Sequence, residues 1–299
     1  MNTTFGGRSA ARARGAAVAQ AVNAMDMTQS QGTRIGFDPS RSPVAGRVLC
    51  LTLSSGGAVV PIMRPMDTFR PFSATHAAVL LVFATTVTTL VMLRLRRERK
   101  DPTKAARLDR RLGIVAVLVW LFATFVQFLP RYYDRTSSLP LQLCDFTIIA
   151  VPLALCTGWR PARAIVYFWG IGLSTQGLIT PDLNGGPATM RFWFFWAPHF
   201  VIVGGALYDV AARGYRPTWR DFRVATVAGV VYAALVLPFD LLADLNYGYV
   251  GKSAPGQPSL VAALGPWPGR VGVMLTLGVV VMTLLMVPWE ILRRRGATE

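Results

Sequence analysis

Charge is scarce in this chain. Only 15% of its 299 residues are charged, against 53% hydrophobic, which is far from the balance of a soluble globular domain. Acidic groups are scarcer than basic ones, 15 Asp and Glu against 31 Lys and Arg, for a net charge of +16. Such an excess raises the question of nucleic acid, but no basic helix or RNA-binding motif accompanies it and the arginines fall in short blocks between apolar runs. No nucleic-acid partner is expected. Cysteine is limited to Cys50, Cys144 and Cys156, without C-x-x-C spacing, so a disulfide scaffold and a zinc finger are both excluded. Histidine is limited to His76 and His199. A metal centre built from His199, Asp240 and Asp244 lacks the ligand spacing that such sites use, and neither metal nor other cofactor is expected.

What the chain has in abundance is long apolar runs, free of formal charge except for Asp145 in the third. Ser73 to Leu93, Leu112 to Pro130, Thr136 to Trp159, Ala164 to Pro181, Phe192 to Tyr208, Val224 to Phe239 and Val271 to Trp289 read as seven spans. Most are close to the length that crosses a hydrocarbon core of about 30 Å at about 1.5 Å per residue. The alternation of an outer-membrane barrel is absent, so the expected class is all-α, a polytopic bundle of seven transmembrane helices over residues 71–295. Residues 1–70, rich in Ala, Gly, Ser, Thr and Arg, hold too little apolar sequence for a core. They read as a disordered tail, or as the result of a start placed upstream of Met63 or Met66.

Arginine and lysine set orientation. Nine lie in Arg94–Arg111, two at Arg160 and Arg163, four from Arg213 to Arg223 and three at Arg293–Arg295, 18 in all, whereas the opposite side holds five. Basic residues of short loops stay cytoplasmic, so the N-terminus is expected outside and the C-terminus in the cytoplasm, in a cell membrane. Trp159, Trp193, Trp196, Trp219 and Trp289 fall near the expected interfaces, while Trp120 and Trp169 read as packing residues. Gly170, Gly172, Gly204 and Gly205 suit close helix approach.

Polar groups inside spans are costly and are therefore functional candidates. Cys144 and Asp145 lie near one end of the third span, and His199 enters the fifth from the same side to a depth of roughly 10 Å at about 1.5 Å per residue. Asp240 and Asp244, four apart, share a face at the same end of the sixth, with Asn246 and Tyr247 just beyond and Asp182 in a loop. A cysteine beside a histidine makes a nucleophile and base pair, because imidazole takes the thiol proton near neutrality and leaves a thiolate able to attack a carbonyl. The plainer alternatives are an apolar filler for Cys144, the role also assigned to Cys156, and an interhelical hydrogen bond for His199. His76, at the start of the first span, reads as an interface residue within reach of the same pocket.

The motifs Leu139-Pro140-Leu141-Gln142-Leu143-Cys144, Tyr167 to Gly170 followed by Leu178 to Pro181, Pro198-His199, Asn246-Tyr247 and Leu264 to Pro268 together resemble the bacterial YwaF-like integral membrane proteins. These are related to the eukaryotic acyltransferase transmembrane protein 164. The resemblance covers about residues 70 to 295 and implies an acyl-transfer centre of Cys144 and His199 acting on lipid acyl esters. One position departs from the pattern: a histidine is expected two residues before the cysteine, where this chain has Gln142. In that reading Asp240 or Asp244 orients or balances charge, Gln142 or Asn246 donates to the oxyanion, and Asp145 and Tyr247 complete the substrate pocket. Two other classes fit the same polar residues. A transporter or ion-binding protein would use Asp145, Asp240 and Asp244 and not need Cys144, and an accessory subunit would need none of them. The oligomeric state is not encoded in any of these features.

Overall fold

The computed structural model describes residues 68–181, 183, 185–252 and 263–296, preceded by two short strands, β1 (Cys50–Leu51) and β2 (Val60–Pro61), paired antiparallel. The chain divides into two units, Met1–Arg64 and Pro65–Glu299. The second is an all-α bundle. Its helices are α1 (Ala74–Lys100), α2 (Pro102–Gln127), α3 (Leu143–Thr157), α4 (Arg160–Ile165), α5 (Thr175–Ile179), α6 (Met190–Arg213), α7 (Trp219–Ala243) and α8 (Gly269–Gly296). A π-helical segment, Val166–Ser174, joins α4 to α5 without a break, so among the described residues seven helical passes are present. Four of them, α1, α6, α7 and α8, are long and apolar enough to cross a membrane.

Local chemistry sets the boundaries. Asp101 ends α1 in an extended conformation and caps α2, accepting from the Thr103 amide at 2.9 Å and its hydroxyl at 2.6 Å. Those bonds, with the Thr103 hydroxyl foremost, hold its carboxyl down at about 2. Pro102 at the first helical position needs no amide partner. α3 begins later than the apolar run Thr136 to Trp159 suggests. Asp134 winds the preceding chain into a turn, accepting from the Thr136 amide and hydroxyl at 2.9 and 2.7 Å and from the Ser137 hydroxyl at 3.2 Å. The Thr136 bonds above all hold the Asp134 carboxylate below its ordinary range. Pro140 then keeps the residue before it out of the helical region, and α3 is only 15 residues long.

The outward faces are apolar. Leu81, Phe122, Phe125, Val227, Leu235 and Leu284 are each more than half exposed, a distribution that water penalises and lipid does not. α1 buries only His76 and Phe83 among its 27 residues. Inside, Tyr167, Phe168, Trp169, Tyr232, Met282 and Met286 pack the π segment between α7 and α8. Trp169 donates from its indole to Ala225 O at 3.1 Å, and Tyr167 to Leu285 O at 2.9 Å. A second cluster, with Phe83, Ile148, Leu178, Phe192, Trp196 and Ile202, closes α1, α3, α5 and α6 together. Trp196 belongs to this core, 2% exposed, rather than to an interface ring. Cys156, read as a buried filler, is exposed on the bundle surface, its thiol 3.8 Å from Arg110 O. At Gly205 an added Cβ would stand 3.0 Å from Val151, so glycine permits the close approach of α3 and α6.

At the arginine-rich end three aspartates are buried, Asp209 and Asp221 at 2% and Asp109 at 5% exposure, and Asp221 pairs with Arg160 at 2.6 Å. Asp209 accepts from Arg163 at 2.8 Å and Arg213 at 2.9 Å. Asp109 meets Arg213 at 3.2 Å and Arg94 at 3.4 Å and accepts from the Tyr208 hydroxyl at 2.6 Å. This network ties α1, α2, α4 and α6. Removing one partner leaves uncompensated charge in a low-dielectric interior, and Asp209→Asn is expected to cost about 3–5 kcal/mol of stability. Denaturant titration of the purified variant against wild type measures it, and an unchanged midpoint would contradict it.

Candidate functional site

The site forms where α3 begins and where α6 and the π segment pass beside it. Cys144 is the second residue of α3, so its side chain stands at the positive end of the helix dipole, beside amides that have no intrahelical acceptor. His199 lies one residue after Pro198, within α6. A proline in a helix removes one amide and pushes away the carbonyl four residues back, which loosens this turn beside the imidazole. The ring stacks on Phe195 at 4.3 Å, and its Nδ1 lies 2.7 Å from Phe195 O. A carbonyl only accepts, so Nδ1 carries the proton and donates. Nε2 is then the lone-pair nitrogen of the neutral ring.

That nitrogen faces Cys144 Sγ at 3.7 Å. A thiol between a lone-pair nitrogen and a helix N-terminus is arranged to lose its proton to the ring and act as a nucleophile. Taken as whole residues, both are half-buried. Gly177 forms the opposite wall: a Cβ there would stand 2.8 Å from His199 Nε2, so only glycine leaves the ring in place. The group that orients the imidazole is a backbone carbonyl, and among the described contacts no carboxylate touches it. Ser174, at the end of the π segment, places its hydroxyl 3.7 Å from the same sulfur and is 2% exposed. No motif pointed to it, because a lone serine in an apolar run carries no spacing signal.

The other sequence candidates fall around this centre in several ways. Asp145 follows Cys144 and accepts from the Gln142 amide at 2.9 Å, closing the first turn of α3. Gln142 accepts through Oε1 from the Gly248 amide at 3.0 Å. Tyr247 is fully buried, and its hydroxyl donates to Arg135 O at 2.7 Å and accepts from Leu139 N at 3.0 Å. Together these bonds fasten the chain before α3 to the turn after α7. Asp240 is 1% exposed, and the backbone amides of Tyr247 and Gly251 face its carboxylate without closing a full hydrogen bond; among the described residues Asn246 Oδ1 has no partner either. Asp244 caps α7 in the left-handed region at φ 55° and is exposed. Asp182 lies outside the described residues. No three His, Cys, Asp or Glu side chains gather as a metal site among the described residues.

His76 is held differently from His199. Its Nδ1 accepts from Phe72 N at 2.9 Å, so Nε2 carries the proton and donates to Leu178 O at 2.8 Å. Both nitrogens are committed and the ring packs on Phe69 and Trp196. It pins α1 to α5, whereas His199 has one nitrogen aimed at the Cys144 sulfur.

Searches among curated proteins and among solved structures return no match. The sequence profile of the TMEM164 family matches residues 71–286, which span every helix from α1 through most of α8. That coverage includes Cys144, Ser174 and His199 and makes the assignment plain: the chain is a multi-pass membrane protein belonging to the TMEM164 family.

Proposed function

We propose that this protein moves acyl chains between membrane lipids through a thioester on Cys144, with His199 as general base. The observation that carries this reading is the 3.7 Å approach of Cys144 Sγ to a His199 Nε2 whose lone pair is set by the bond from Nδ1 to Phe195 O. His199 takes the thiol proton, and the sulfur adds to the carbonyl carbon of a lipid ester. The tetrahedral centre collapses, the ester C–O bond breaks, and the lysolipid oxygen leaves with the proton from Nε2. An acceptor hydroxyl then gives its proton to Nε2 and attacks the thioester, and the sulfur departs. No metal or cofactor enters these steps. The apolar outer faces suit a lipid substrate that reaches the sulfur from within the bilayer. The test is exchange of a labelled acyl chain from phospholipid to lysolipid in proteoliposomes, where empty liposomes give the background.

On the motifs around Cys144 and His199 the chain is read as a bacterial YwaF-like member of its family. The excess of basic residues at the end carrying Arg94, Arg163 and Arg213 supports a cytoplasmic C-terminus and a site facing outward. Residues before about Met63 are read as no part of that function, since their composition holds too little apolar sequence for a core. Reporter fusions after Arg111 and after Arg295 should both report cytoplasm, and a periplasmic signal from either contradicts the orientation.

One observation favours a second reading, binding or transport of a small cation: among the described residues the buried Asp240 carboxylate closes no full hydrogen bond, nor does Asn246 Oδ1. In that case Asp240→Asn abolishes activity and Cys144→Ala leaves it intact.

A further inference from the structure

We propose that Ser174 is a third catalytic group, an oxyanion donor that rests on the sulfur until a substrate arrives. The inference builds on the Cys144 and His199 reading above and assigns a role to a residue outside that pair.

The hydrogen-bond directions around the sulfur are forced in sequence. Nδ1–H of His199 is spent on Phe195 O, so Nε2 accepts, and the one thiol proton goes to Nε2. Sulfur then has only lone pairs to offer Ser174, whose Oγ lies 3.7 Å away. The hydroxyl is therefore the donor. Among the described residues the sulfur is its hydrogen-bond partner, although Ser174 is 2% exposed.

The backbone brings the hydroxyl there by an unusual route. Over Val166–Ser174 the chain follows π-helical geometry, and the Thr175 hydroxyl reaches Gly170 O five residues back at 3.3 Å. Each π turn takes up about one residue more than an α turn. After nine residues the side-chain register has rotated through roughly half a turn relative to a continuous α-helix. A regular helix would turn Ser174 away from α3. Irregular helical turns of this kind concentrate at functional sites, and here the turn delivers one polar side chain to one sulfur.

Chemistry gives that position a use. When the thiolate adds to an ester carbonyl, the C=O π pair moves onto oxygen, and this oxyanion sits two bonds from the sulfur. A donor in contact with sulfur is then within reach of the oxygen. Once sulfur is bonded to carbon it is a poor acceptor, so the hydroxyl rotates from sulfur to oxyanion as charge develops there. The amide of Cys144, at the start of α3, is placed to supply a second donor.

Two reagents separate this role from a structural one. An activated short-chain p-nitrophenyl ester acylates Cys144 through an oxyanion, whereas iodoacetamide alkylates it by displacement and forms none. Rates at Cys144 in the full-length protein in detergent are followed by peptide mass, which separates Cys50 and Cys156. Ser174→Ala is expected to slow acylation about 100-fold and leave alkylation nearly unchanged, and Ser174→Thr is expected to recover most of the acylation. His199→Gln slows both reagents, since each consumes the thiolate. If the alanine variant does not fold, Ser174→Thr against Ser174→Val makes the same comparison with shape held constant. Equal loss of both rates, or no loss of acylation, overturns the role of Ser174 alone. A wild-type Cys144 that takes neither reagent overturns the Cys144 and His199 reading with it.

Discussion

Cys144→Ala is expected to abolish the proposed transfer of an acyl chain from phospholipid to lysolipid, while the purified variant is expected to melt close to wild type. The loss is complete because no other described nucleophile stands beside His199: Cys156 is on the bundle surface against Arg110 O, and Ser174 has only a hydroxyl. The fold survives because the side chain removed is small, so the cavity left behind is small. Cys144→Ser is nearly as damaging, since a hydroxyl gives up its proton far less readily than a thiol. Acyl exchange in proteoliposomes measures both variants. Exchange by the alanine variant at the wild-type rate would contradict Cys144 as the nucleophile.

His199→Gln is expected to lower the exchange rate by about 10² to 10⁴-fold, the usual contribution of a general base. Glutamine fills much of the same space between Phe195 and Gly177 and retains an amide able to reach Phe195 O, so packing changes little. It has no nitrogen lone pair that takes a proton near neutrality. His76→Gln offers the contrast. Both His76 nitrogens are tied to backbone, and its replacement acts on the docking of α1 against α5, reducing stability before chemistry. Rates per folded molecule separate the two, and a His199→Gln enzyme with a wild-type rate would contradict the assignment.

The passes were legible in the sequence because arginines punctuate them, and runs without formal charge locate α1, α6, α7 and α8 well. Charge counting misled where polar but uncharged residues break a helix. Thr136, Ser137, Ser138 and Pro140 carry no charge, yet they bind Asp134 or restrict the backbone, and α3 starts at Leu143 instead of Thr136. The π geometry of Val166–Ser174 is invisible for another reason: the segment is apolar throughout, so its hydrophobicity is the same whichever register it adopts. Depth along the spans put Cys144 and His199 at one level, which is a statement about translation along the helices. Ser174 depends on rotation about the helix, and a register change of roughly half a turn cannot be seen without coordinates. Asp109 and Asp209 were obscured by their neighbours. Set among arginines at span ends they read as loop charge, whereas the fold buries both and spends three arginines on them.

The proline and aromatic motifs behave differently from the polar candidates. Tyr167, Trp169 and Leu178 each make a backbone-directed bond or receive one, so that stretch of sequence is the part that locks the π segment to α1, α7 and α8. Gln142 and Tyr247, chosen as substrate contacts, hold the start of α3 against the turn after α7. Their substitution is felt at the sulfur through the position of α3. At this position Gln142 supplies a hydrogen-bond acceptor for the Gly248 amide.

The most direct measurement is the mass of the peptide containing Cys144 after the protein is incubated with a phospholipid donor and quenched in acid before any acceptor is added. An acyl adduct on Cys144 is expected, removable by neutral hydroxylamine as a thioester is, consumed on addition of lysolipid and strongly reduced in His199→Gln. Acyl exchange that proceeds at full rate with no adduct on Cys144 at any time would contradict the account.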